Sequence, residues 1–124
     1  MPSYVYVAAQ DAHQLAVFTI DGAPGGLTPQ AAVPMAGGPS LLAISPNRHC
    51  LYVGHRAVPE ISSHRIDPET GGLTRLGSLT PPDPAGFLAT DRSGGYLLVA
   101  YYQGGHVAVY PLGDEGGLGA PAIE

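Results

Sequence analysis

Lysine is absent from this chain of 124 residues. Its five cationic side chains are all arginines, scattered from Arg48 to Arg92, against ten Asp+Glu. A net charge of −5 without a basic patch argues against nucleic acid as a partner, because phosphate backbones are held by clustered Lys and Arg. Charged residues of all kinds are only 12% of the chain while apolar ones are 44%, so the composition is not that of a disordered segment. A chain with so few charges either has little polar surface or hides some of it against a partner. Cysteine is almost missing too. Cys50 stands alone, which rules out an intrachain disulfide or a thiolate metal cluster, and its place in an apolar run reads as a small core residue. No apolar run approaches the roughly 20 residues that a bilayer-spanning helix needs. Met1-Pro2-Ser3 leads straight into a strand-like segment with no signal-peptide pattern, so a cytoplasmic location and no membrane partner are expected. A Gly-x-Ser-x-Gly elbow, a Walker loop and a dinucleotide fingerprint are all absent. Helical periodicity is absent as well, and 13 prolines and 18 glycines interrupt the chain too often for helices.

What the chain does have is an internal repeat of 46 residues. Val7, Val53 and Val99 recur at that interval, as do Leu15, Ile61 and Val107, and Ile20, Ile66 and Leu112. Gly26-Leu27 returns as Gly72-Leu73, and one residue early as Gly117-Leu118. Short apolar runs with Gly/Pro turns at this period are the pattern of a β-propeller blade. The expected fold is therefore all-β: about three blades of four antiparallel strands, forming one partial propeller over 1–124 with repeats near 1–38, 39–84 and 85–124. First strands are expected at Pro39–Ile44 and Ala85–Thr90. Second strands fall at Tyr4–Ala9, Cys50–His55 and Tyr96–Tyr101, and third strands at Leu15–Ile20, Ile61–Ile66 and Val107–Leu112. Fourth strands start at Leu27, Leu73 and Leu118. They carry prolines, which belong on an outer edge where no neighbour needs the missing N–H. That makes eleven strands, with the inner strand of the first blade missing.

Three blades cannot close a ring that takes about four to eight. Their end faces would expose more apolar surface than a monomer usually carries. The expected partner is therefore the chain itself: at about 60° per blade, two copies complete a six-bladed ring with two-fold symmetry. Belonging to the N-terminal part of a longer protein is the other solution.

The segments "YVYVAAQDAHQLAVFTID", "LLAISPNRHCLYVGHR", "SSHRIDPETGGLT" and "LLVAYYQGGHVAVYPL" resemble the N-terminal portion of the 6-phosphogluconolactonase (lactonase) family, which also holds the fungal carboxymuconate-lactonizing enzymes. The resemblance covers essentially the whole chain. It implies a seven-bladed propeller, of which this chain resembles under half, and lactonase activity. It also implies that Arg56 matches an arginine common at that strand end, and that Tyr102, Gly105 and Val107 match a Tyr-x-x-Gly-x-Val step. The family's most suggestive active-site histidines and carboxylate fall in middle and later blades.

On the propeller topology, the loops joining second to third strands and fourth to first strands share one rim. That rim gathers Gln10, Asp11 and His13, then His55, Arg56 and Glu60 with Asp83, then Tyr101, Tyr102, Gln103 and His106. Opening a lactone or activated ester needs a base to activate water and a donor for the oxyanion. His55 or His106 suits the first role, Arg56 suits an anion clamp, and Tyr102 could donate to the carbonyl oxygen. Gln10 and Tyr101 complete the expected substrate contacts. No cofactor is expected. A metal shared by His13, His55 and His106 is a weaker alternative, because none has zinc-site helical spacing. His64 replaces Phe18 and Tyr110 of the other repeats and is expected to pack as an aromatic; His49 is expected to face solvent. The rival to a hydrolase is a non-catalytic propeller segment that self-associates as a structural or binding module.

Overall fold

The structure is a computed structural model that describes residues 3–20, 22 and 25–120. It holds strands and turns, with no helix among the described residues. Strands β1 (Tyr4–Ala9), β2 (Gln14–Ile20), β3 (Leu27–Pro29) and β4 (Val33–Pro34) form the first sheet. Strands β5 (Pro39–Ile44), β6 (Cys50–His55), β7 (Glu60–Ile66) and β8 (Leu73–Leu79) form the second. Strands β9 (Phe87–Thr90), β10 (Tyr96–Tyr101) and β11 (His106–Pro111) form the third. Every named pairing is antiparallel between neighbours in the chain, apart from β4, which pairs β2 beyond β3.

The eleven strands among the described residues match the sequence count in number, but the strands differ. The fourth strand of the first repeat is broken into β3 and β4, both paired to β2, because Pro29 and Pro34 cannot donate to a continuous ladder. The fourth strand of the third repeat is reduced to a single bridge, Leu112 to Leu118, and its continuation past Ala120 lies outside the described residues. The hairpin expected from Asp21 to Gly26 is described only at Gly22, Gly25 and Gly26. Among the described residues β1 has no strand on its inner side, whereas β6 has β5 and β10 has β9.

Turn chemistry explains the sharp first-to-second strand reversals. Asn47 Oδ1 accepts from the Ser45 hydroxyl at 2.7 Å and the His49 amide at 2.9 Å, while Arg48 takes φ 64°. Forty-six residues on, Asp91 receives the Ser93 hydroxyl and the Tyr96 amide, and Gly94 takes the left-handed position at φ 78°. His49 is exposed, as expected.

Two apolar clusters join the sheets. Leu15 and Met35 of the first repeat pack on Leu51 and Val53 of β6. On the opposite face of the second sheet, Cys50, Tyr52 and Ile61 pack on Leu97, Val99, Tyr101, Ala108 and Tyr110 of the third. Burial drives the Tyr52 phenol well above its ordinary range, and its hydroxyl bonds Gly116 O at 3.0 Å. Burial also raises the Cys50 thiol, which stays an unreactive core group. Tyr6 adds a latch from β1 to the outer hairpin of the second sheet, donating to Gly71 O at 2.7 Å. Burial, reinforced by Tyr4 and Asp67, pushes its phenol up to about 12.

Because side chains alternate along a strand, the two end sheets each keep one face unpaired. On the first sheet that face holds Val5, Val7, Ala16 and Phe18. On the third it holds Leu98, Ala100, Val107 and Phe87, with Phe87 62% and Val107 59% exposed.

Candidate functional site

The rim where second strands turn into third strands carries two groups of candidate side chains. In the first, Gln10 lies beside Gly38 and Ala57: a methyl group on Gly38 would meet Ala57 Cβ at 3.0 Å and Gln10 Cγ at 3.4 Å. The Arg56 amide donates to Gly38 O at 2.8 Å, which fixes the backbone that carries its exposed guanidinium. In the second group, the half-buried ring of His106 stacks on Tyr101, with centroids 4.5 Å apart and 21° between planes. The pair arises because Tyr101 and His106 are direct partners across β10 and β11. Tyr101 itself is buried, its hydroxyl bonded to that of Tyr110. Tyr102 is 89% exposed, and a methyl group on Gly86 would meet its Cβ at 3.1 Å and its amide nitrogen at 3.3 Å. The groups stand on neighbouring blades, whose sheets pack about 10 Å apart.

His55 belongs to neither group as a free base. It is 1% exposed and both ring nitrogens are engaged. Nδ1 lies 2.8 Å from Ala36 O, a pure acceptor, so Nδ1 carries the proton. Nε2 is then an acceptor and takes the Ser62 hydroxyl proton at 2.8 Å. Ser62 Oγ in turn accepts from His64 Nε2–H at 2.9 Å. The donor order His64, Ser62, His55, Ala36 is thereby fixed for neutral imidazoles. Glu60 Oε1 sits 3.8 Å from His55 Nδ1, and Glu60 is itself paired with Arg75. Burial pushes His55 below its ordinary range, against the pull of Glu60. Burial tends to raise Glu60, but its bond to Arg75 and the charge effects of His55 and Arg75 bring it down overall. His64 is pushed down to about 4, first by burial and then by Arg75 and His55.

His64 thus packs in the core as expected from its aromatic counterparts, but it also donates within a polar chain that sequence reasoning did not foresee. The available signal was period two: Glu60, Ser62 and His64 share one face of β7, opposite His55, Val53 and Leu51 of β6. The metal alternative gathers no support from placement. His13 sits in an exposed turn at φ 51° and His55 is sealed in the core, and among the described residues no group of three or more His, Cys, Asp or Glu could hold an ion. No helix among them is long and apolar enough to cross a membrane.

A family profile described as "Lactonase, 7-bladed beta-propeller" matches residues 6–123. The 6-phosphogluconolactonase of Pectobacterium carotovorum is 39% identical over 121 residues, covering 98% of this chain and 36% of that protein. The 6-phosphogluconolactonase of Klebsiella pneumoniae is 34% identical over 114 residues, covering 92% of this chain and 34% of its own. Among solved structures, the periplasmic gluconolactonase of Pseudomonas aeruginosa superposes with a TM-score of 0.85 at 21% identity, over 95% of this chain and 35% of that one, a likeness of fold. The chain spans about a third of the length of the relatives it matches. The 46-residue repeat, the side-by-side antiparallel sheets and this match over nearly the whole sequence agree: the chain belongs to the seven-bladed β-propeller lactonase family.

Proposed function

We propose that the protein opens a lactone by attack of water, at the rim that carries Arg56, Tyr102 and His106. The observation that carries this reading is the His106 ring, half-buried and stacked on Tyr101 one blade from the exposed Arg56. Imidazole held at a fixed angle, yet reachable by water, suits a general base near neutral pH. Arg56, beside Gln10, supplies a two-pronged donor for an anionic or carbonyl oxygen, and Tyr102 offers a phenol to the developing oxyanion. Tyr101 acts through the ring it supports. His55 has its nitrogens committed, so its part in this reading is to fix the strand end that carries Arg56. The names of the relatives support a sugar lactone as substrate, and a phosphorylated one would use the arginine. A cytoplasmic site of action belongs to the same reading, and cell fractionation checks it.

The ring is completed in this reading by a second copy of the chain. Leu98, Ala100 and Val107 on the open third-sheet face stand 46 residues after Tyr52, Gly54 and Ile61, which face the third sheet. Val5, Val7 and Ala16 on the open first-sheet face stand 46 before Leu51, Val53 and Ser62, which face the first. The two open faces are thus of opposite kinds, and head-to-tail packing of two copies reproduces the internal interfaces.

Hydrolysis of 6-phosphogluconolactone, gluconolactone and an aryl ester is the direct test. Arg56→Ala should raise KM roughly 10- to 100-fold, as loss of a charge-assisted bond does, with a smaller effect on kcat. Unchanged kinetics in that variant would remove Arg56 from the site.

A further inference from the structure

Gly104 is a glycine that its backbone does not explain. Its neighbour Gly105 takes φ 68°, but Gly104 has no positive φ. The equivalent positions of the other repeats carry side chains, Ala12 and Val58. What Gly104 lacks is room. A methyl group there would lie under 3.0 Å from Asp83 Oδ2 and 2.7 Å from His106 Nδ1. The second repeat shows the reverse arrangement: the counterpart of Asp83 is Gly37, and a methyl group on Gly37 would meet Val58 at 3.3 Å. Glycine facing valine in one interblade loop has become aspartate facing glycine in the next. The exchange brings a carboxylate and an imidazole nitrogen together over a bare Cα, within about 5 Å of each other, a span that one water can bridge with a hydrogen bond to each. Both side chains are partly exposed, so solvent reaches them.

We propose that Asp83 and His106 hold and activate the hydrolytic water above Gly104, which makes Asp83 a catalytic residue of the reaction. This rests on the lactone-hydrolysis reading above. The water oxygen forms a bond to the lactone carbonyl carbon while its proton passes to His106, and the carbonyl electron pair moves onto oxygen. Collapse of that oxyanion breaks the ring C–O bond, and the departing alkoxide takes the proton back from His106. The products are a hydroxy acid and the unchanged enzyme. Asp83 accepts the second water hydrogen and stabilises the imidazolium.

Three variants of the 124-residue chain test this: Asp83→Asn, His106→Gln and Gly104→Ala, each checked for fold by circular dichroism and assayed on gluconolactone and 6-phosphogluconolactone. Each should lose about 100-fold or more in kcat with KM within a few-fold, and Asp83→Asn combined with His106→Gln should lose little beyond either alone, because the two act as a unit. Wild-type hydrolysis with full kcat in Asp83→Asn or Gly104→Ala would overturn the dyad and leave the lactonase reading standing. Multiplicative losses in the double variant would also overturn it. No hydrolysis by the wild-type chain would overturn both.

Discussion

His64 shows how one position in the repeat can change its chemistry without changing its place. Its counterparts Phe18 and Tyr110 fill the same slot, so its burial was legible from the 46-residue register. Its donation to Ser62 was not, because a hydrogen bond depends on the opposing strand's register, which a single sequence does not display. The consequence is an acid sensitivity. The unfolded chain protonates this histidine near pH 6.5, whereas the folded chain resists until about 4. The stability that depends on neutral His64 is complete above about pH 6.5, declines as pH falls towards 4, and is flat below that, a loss of about 3 kcal/mol. His55, also pushed down by burial, adds to the loss of stability as pH falls below the ordinary histidine range. Urea unfolding midpoints between pH 7 and 4 should therefore fall, and His64→Phe should flatten a large part of that fall at little cost near pH 7. A variant with the full wild-type slope would place the proton elsewhere.

Strands were legible where short runs of Val, Leu, Ile and Tyr stand between turn residues. β1, β5, β6 and β10 begin and end as the sequence predicts. β9 starts at Phe87, two residues late, because Ala85 and Gly86 follow Pro84 before the ladder with β10 is set. The outer strands were least legible, since an edge strand is defined by pairing on one side only and prolines cut β3 from β4. At this scale the hairpin beyond β11 is the sensitive joint. Gly116 has φ 93°, and a methyl group there would collide with Cys50 Sγ and reach Tyr52 Oη at 3.0 Å. Gly116→Ala combines left-handed strain with overpacking and should destabilise by about 2–4 kcal/mol, a fall in Tm of roughly 8 °C or more. Calorimetry showing an unchanged Tm would mean that the hairpin moves freely away from the second sheet.

At the scale of the molecule, the open faces decide behaviour. Val7 is 47% and Val107 59% exposed, each on a strand whose opposite side is core. Sedimentation at micromolar concentration should give about twice the 12.7 kDa chain mass. Val107→Glu should shift the chain to monomer while leaving its circular dichroism intact, since the side chain faces outward and its removal opens no internal cavity. A well-folded wild-type monomer would end the two-copy ring. The rim follows the same logic: the repeat located Gln10, Arg56, Tyr102 and His106 at one end of the sheets, but only their packing separated the reachable His106 from the sealed His55.

The sequence alone determined the period, the strand class and the end of the molecule where ionisable groups collect, because alternation, turn residues and a 46-residue register are local properties of the chain. Tertiary structure decided which histidine meets solvent, which loops lie close enough to share a water, and which faces stay bare. Those depend on distances between residues far apart in sequence, and only folding sets them.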